Sequence, residues 1–273
     1  MKKVFFLLIA FFLSLPIVAQ TYVQLSEKAL EYVNKDSLEQ AEIFFRKALK
    51  LEPANPHNAL LFSNLGTVQR RMHRFNDAIE SYTYALNMAP NTPSILSNRA
   101  AIYLEQGNNE RAYVDYCQIL DVDKKNVEAL LMRAYIYSVR KDYKAARIDY
   151  DKLLLMAPEN YSARLGLATL NQKEGRYREA IEIIEKLIAE NPKDATLYVA
   201  RGGVEKDMNQ IDLALIDVDE AIRLAPASVD AYLLRGELFL LQKRKYLARL
   251  DFEKAIALGV PQADLRDALK QCR

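Results

Sequence analysis

Pro158, Pro192 and Pro226 stand 34 residues apart, and Pro90 precedes Pro158 by 68, twice that period. Each closes a helical apolar run: "YALNMAP", "LLLMAP", "IAENP" and "IRLAP". A fixed period of this length means that each stretch is one supersecondary unit, stable only when stacked on its neighbours. Lys124 stands where the missing proline would fall, and Pro53 precedes Pro90 by 37, which places three extra residues in "ANPHNA". Seven repeats follow, at about 22–55, 59–92, 93–126, 127–160, 161–194, 195–228 and 229–260.

Two positions of every repeat are small. The eighth holds Ala29, Gly66, Ala100, Ala134, Ala168, Gly202 and Gly236. The twentieth is always alanine: Ala41, Ala78, Ala112, Ala146, Ala180, Ala214 and Ala248. Small residues at fixed places in two amphipathic runs let two helices approach closely. Between the runs the fifteenth position holds Asp36, His73, Gly107, Lys141, Gly175, Asn209 and Lys243, of which Gly107, Gly175 and Asn209 suit a turn with positive φ. Each repeat therefore reads as an antiparallel helix pair, and the closing proline favours ending one pair before the next. Composition agrees: the chain is 51% hydrophobic and 27% charged, so neither disordered nor a membrane bundle. Eight Gly and nine Pro are few for 273 residues, which favours helix over strand and turn.

The repeats resemble the tetratricopeptide repeat (TPR) family. The second matches its pattern through Phe62, Leu65, Gly66, Ala78, Tyr82, Ala85 and Pro90, with Gln69 in place of a Tyr. The fourth matches through Leu130, Ala134, Tyr137, Ala146, Tyr150 and Pro158. The fifth departs, since Asn171 and Ile184 replace both ring positions, and the third lacks the proline. The resemblance covers about Tyr22 to Val260. It implies an all-α fold, a right-handed solenoid of antiparallel helix pairs. Past Val260, "PQADLRDALKQCR" carries Leu265, Ala268 and Leu269 on one edge, and 261–273 is expected to form a capping helix over the last repeat.

An Arg and an Asp sixteen residues apart recur as Arg99 with Asp115, Arg133 with Asp149, Arg201 with Asp217 and Arg235 with Asp251. They occupy the seventh and twenty-third positions, each eight residues from the turn, so an antiparallel pair brings them to one height about 12 Å from it. Repeats one, two and five lack both partners, with Lys28 and Phe44, Leu65 and Ser81, and Leu167 and Ile183. Co-occurrence within a repeat predicts intra-repeat ion pairs that lock the two helices. Read as acid–base dyads they would be catalytic, but recurring ion pairs also arise structurally, and the structural reading is favoured.

The chain begins "MKKVFFLLIAFFLSLPIVAQ": two lysines, an apolar run, then a small residue before Gln20. This is the pattern of a secretory signal peptide, expected to be cut after Ala19. A bilayer core needs roughly 20 apolar residues. Val4–Ala19 is sixteen residues with Ser14 and Pro16 inside, which disfavours an uncleaved anchor. Of 38 basic residues, loss of Lys2 and Lys3 leaves 36, against 36 acidic ones. That balance gives no electrostatic footprint for nucleic acid or an anionic membrane, and no direct span is expected after cleavage. Cys117 and Cys272 lie on non-neighbouring parts of a stack and are expected to be unpaired thiols. His57 and His73 have no clustered Cys or carboxylate, so no metal site is expected, and Gly202-Gly203 lacks a phosphate-loop context. No cofactor is expected.

The first helices of a curled stack line its inner face. In the family the second, fifth, ninth and twelfth positions face that groove. Carried over, these include Ser97 and Ala101; Leu131, Tyr135 and Ser138; Leu165 and Thr169; Val199; and Leu233. Leu131, Leu165, Val199 and Leu233 recur at one place in four consecutive repeats, an apolar track suited to a peptide or helix of a partner. Clamping of chaperone C-terminal carboxylates needs Lys or Arg at the fifth position. Ser26, Ser63, Ser97, Leu131, Leu165, Val199 and Leu233 stand there, so that use is disfavoured. The expectation is a non-enzymatic protein-interaction scaffold outside the cytoplasm, in a bacterial periplasm. The alternatives are a holdase-like binder of unfolded or exported polypeptide and, further off, an enzyme with an unrecognised site.

Overall fold

The structure, a computed structural model, describes residues 21–273. The leader-like stretch and its expected cleavage site lie outside them. The described residues are all-helical, with no strands. The helices are α1 (Tyr22–Asn34), α2 (Leu38–Leu51), α3 (Asn58–Arg71), α4 (Phe75–Met88), α5 (Pro93–Glu105), α6 (Asn109–Val122), α7 (Val127–Val139) and α8 (Tyr143–Met156). They continue as α9 (Tyr161–Lys173), α10 (Tyr177–Glu190), α11 (Ala195–Asp207), α12 (Ile211–Leu224), α13 (Val229–Leu241), α14 (Lys245–Ala257) and α15 (Arg266–Gln271). The described residues form two compact bodies, one up to Asn108 with α1–α5 and one of Asn109–Arg273 with α6–α15. Within each body consecutive helices pack as pairs, and each second helix packs on the next first helix.

Every turn within a pair is built the same way. Its fifteenth residue has positive φ, at Asp36, His73, Gly107, Lys141, Gly175, Asn209 and Lys243 alike. Around Lys141, its N–H reaches the Ser138 carbonyl at 3.1 Å and the Asp142 N–H reaches back to Tyr137 at 2.9 Å. The two bonds satisfy carbonyls that a helix end leaves open, and they require the left-handed residue between them. The register thus imposes positive φ on Asp36, His73, Lys141 and Lys243, whose residue types alone do not announce it. First helices have their own signal. Asn126, Asn160, Asp194 and Ser228 cap α7, α9, α11 and α13 with side-chain oxygens.

The core runs between the helices of each pair. All seven alanines of the twentieth position are fully buried. Opposite them the eighth position receives the large side chain of the twenty-fourth. A Cβ on Gly66 would stand 2.9 Å from the Tyr82 ring, and one on Gly236 2.7 Å from Phe252. In the first body the longer "ANPHNA" link is held by buried Asn58. It accepts from the Tyr22 hydroxyl at 3.0 Å and donates to the Glu52 and Pro53 carbonyls. At the C-terminus the helix α15 covers only Arg266–Gln271, packs on α14, and has no fully buried residue. Leu265, Ala268 and Leu269 are half-buried.

Candidate interaction site

The seventh-position arginines anchor the first helices of the second body. Arg133 donates from Nε and Nη2 to the two carboxylate oxygens of Asp149 at 2.7 and 2.9 Å. Arg201 holds Asp217 at 2.6 and 2.7 Å, and Arg235 holds Asp251 at 2.8 Å through both nitrogens. This bidentate geometry is the strong form of a charge-assisted hydrogen bond. The aspartates are buried, Asp149 with 2% exposure, and the arginines half-buried. The hydrogen bonds that the guanidinium groups donate to the aspartates hold all three arginine pKa values above their ordinary range. Arg99 belongs to the first body, and Asp115, buried, to the second.

Arg99, Arg133 and Arg235 each have a third arm that the sequence did not reveal. Nη1 of Arg133 reaches Cys117 Sγ at 3.7 Å, Nη1 of Arg235 reaches Asp219 at 2.7 Å, and Nη1 of Arg99 reaches Thr83 at 3.1 Å. These acceptors precede their arginine by sixteen residues, as the aspartate follows it by sixteen. The guanidinium groups of Arg133 and Arg235 therefore each tie a first helix to two second helices, that of the same repeat and that of the repeat before. The acceptors differ in type, so no residue pattern marks them. The same register places Glu185 before Arg201, and its charge acts on that arginine.

A second contact joins the twenty-first position of one repeat to the eleventh of the next. The hydroxyls of Tyr113 and Tyr137 meet at 3.0 Å, Arg147 donates to Asn171 at 2.5 Å, and Gln69 donates to Glu42 at 3.3 Å. In the sixth repeat the eleventh residue is Glu205, and its register partner is Ile181, which has no polar side-chain atom. Glu205 is 9% exposed, and its Oε2 is buried without a hydrogen-bond partner. Burial first, and then the charge of Asp217, push this carboxyl up to about 7, against the opposing pull of Arg201.

With the helices fixed in this way, the predicted inner positions can be placed. In the second body Leu131, Leu165, Val199 and Leu233 lie on α7, α9, α11 and α13 and are half-buried. Leu165 packs on the core of Ala168, Ile184 and Leu197, and Val199 on that of Val218, Ala221 and Leu234. Only part of each side chain faces outward. Tyr135, half exposed at 50%, offers the largest free apolar surface of the predicted set. The hydroxyls are engaged internally: Ser138 donates to the Ala134 carbonyl at 2.9 Å and Thr169 to Leu165 at 3.0 Å. Polar rungs cross between first helices, with Gln172 on Asp207 at 2.7 Å and Lys206 on Glu237 at 2.6 Å. A Cβ on Gly203 would meet only the Gln172 amide, at 3.7 Å, so a notch lies there. Ser97 and Ala101 sit half-buried on α5 of the first body. A partner on the second body's face would therefore meet apolar edges and a tyrosine, with few unengaged hydroxyls.

A competing apolar surface lies on the second helices. The twenty-second position of the second helices holds Val114, Ile148, Ile216 and Leu250, all exposed, Ile148 at 60% and Ile216 at 65%. Glu182 interrupts the row. Comparing one position across repeats would have found it. Among the described residues no three His, Cys, Asp or Glu side chains are placed to hold a metal ion. Cys117 and Cys272 are free thiols, and among the described residues no helix is long and apolar enough to cross a membrane.

Tetratricopeptide repeat family models match residues 19–55, 63–126, 140–201 and 200–264. A tetratricopeptide repeat protein from Parabacteroides merdae is 36% identical over 93% of this chain and 99% of its own, with a TM-score of 0.86. Two further structures share the fold. PilW, a type IV pilus biogenesis factor, has 17% identity, 78% of this chain and 97% of its own covered, and a TM-score of 0.63. PilF of Pseudomonas aeruginosa has 21% identity, 79% and 97% covered, and a TM-score of 0.61. No curated protein matches the chain. With fourteen helices of the described residues following one repeat register and a 36% identical relative matched along nearly its full length, the chain belongs to the tetratricopeptide repeat family.

Proposed function

We propose that this protein is a non-enzymatic scaffold that acts outside the cytoplasm, in a bacterial periplasm, and takes a peptide or helix of a partner protein on the first-helix face of its second body. The carrying observation is the recurrence of Leu131, Leu165, Val199 and Leu233 at one place in four consecutive first helices, beside half-exposed Tyr135. Recurrence at one helical pitch suits an elongated apolar ligand rather than a small molecule. Export rests on the leader-like pattern of residues 1–19. Fold alone does not choose among partners.

The test is crosslinking and capture from the native envelope with wild type, Leu131→Glu/Leu165→Glu and Tyr135→Glu, each first checked for helicity. Because Leu165 is part of a core, Tyr135→Glu is the variant that leaves packing intact. Loss of one defined partner in both variants is the expected result. Capture of many unfolded chains would point to the holdase reading. A partner list unchanged in Tyr135→Glu would move the site to the second-helix row of Ile148 and Ile216.

A further inference from the structure

At the C-terminal end of the second body the first-helix face deepens into a cleft of about 630 Å³ between α11, α13 and the closing segment. Leu233, Leu240, Leu241 and Leu265 supply an apolar floor. The charged groups around it are Lys206, Asp207, Glu237 and Asp264. Lys206 is in an ion pair with Glu237 at 2.6 Å, so those charges cancel. Among the described residues Asp207 accepts from the neutral amide of Gln172, and Asp264 is exposed, so neither carboxylate is matched by a cation at the cleft. The backbone adds to this sign. α11 ends at Asp207 and α13 at Leu241, and a helix C-terminus carries a partial negative charge. An apolar floor inside a net negative rim excludes an acidic ligand and favours a cationic one.

We propose that this cleft takes a cationic apolar segment of the partner, with an aliphatic side chain on the leucines and a Lys or Arg beside it against Asp207 and Asp264. The proposal rests on the first-helix face being the binding face and adds the chemistry of what reaches its C-terminal end.

The test uses the full chain and three labelled peptides that share alternating leucines and differ only in Lys, Gln or Glu between them. Fluorescence anisotropy should show the Lys peptide binding roughly tenfold tighter than the Gln peptide at low salt, the scale of two or three partly screened charge contacts. The Glu peptide should be weakest, and added salt should compress the series. Asp207→Lys/Asp264→Lys changes two exposed side chains and should invert the order. Equal binding of all three, no binding by any, or an order unmoved by the charge reversal would overturn the proposal. The two readings fail separately. Envelope capture that ignores Tyr135 and Leu131, with the Lys preference intact, removes the face as the main site and leaves the cleft. The converse removes the cleft alone.

Discussion

The fourth and fifth repeats solve one packing problem with opposite chemistry. In α7–α8 the seventh and twenty-third residues are Arg133 and Asp149, joined by two hydrogen bonds over a buried carboxylate. In α9–α10 the same places hold Leu167 and Ile183, both half-buried, and the helices still pack as a pair. The position therefore accepts a matched pair of either kind. The first repeat mixes them only with the Lys28 ammonium over the Phe44 ring at 4.9 Å; an aliphatic residue opposite Arg133 would leave its charge desolvated with nothing to answer it. The charged version adds something the apolar one lacks: its third arm reaches the preceding repeat at Cys117.

Mixing the two chemistries should produce the largest effect. Asp149→Leu leaves Arg133 facing an apolar site and should lower stability by roughly 3–5 kcal/mol, read from the shift of a urea midpoint. A loss below about 1 kcal/mol, the range of exposed pairs, would place Arg133 effectively in water.

Glu205 is a mixture already present in the wild type, a carboxyl set against Ile181 in a contact that is polar between the fourth and fifth repeats, where Arg147 meets Asn171. Its folded pKa, about 7, lies above the ordinary carboxyl value of 4.5. Its contribution is therefore intact below pH 4.5 and is lost as pH rises through 7, where a charge must be held in a buried site. Between pH 5 and 8 the wild type should lose roughly 2.5 kcal/mol relative to Glu205→Gln. Parallel stability–pH curves for the two proteins would contradict this.

Packing sharpens the comparison at a smaller scale. The fourth repeat carries Ala134 at its eighth position and the seventh carries Gly236, whose added Cβ would meet the Phe252 ring at 2.7 Å. Gly236→Ala should cost about 1–3 kcal/mol by overpacking, measured by thermal or urea unfolding. The smallest effect should come from making the fourth repeat resemble the fifth. Arg133→Leu/Asp149→Ile should stay within about 1 kcal/mol of the wild type, since a buried ion pair replaced by well-packed apolar residues is often neutral or better. Its gap from the single Asp149→Leu variant measures the penalty of mismatch.

The period and the small residues made the helix pairs legible, because close approach of two helices demands small side chains at fixed heights. The Arg–Asp separation was legible for a related reason: residues equidistant from a turn meet across an antiparallel pair. The third arm was not, since Thr83, Cys117 and Asp219 share a register but no chemistry. Exposure was also illegible. A period says which side chains share a place, not how much of each its neighbours cover, so Leu165 and Val199 are partly taken up by cores while Ile148 and Ile216 stand in solvent.

That difference between faces gives the most direct test of the functional account. A photocrosslinking amino acid placed at Tyr135 on α7, and separately at Ile148 on α8, should be activated in the native envelope. The account predicts that the Tyr135 probe captures a defined partner and that the Ile148 probe does not. Capture from Ile148 with none from Tyr135 would contradict it and assign binding to the second helices.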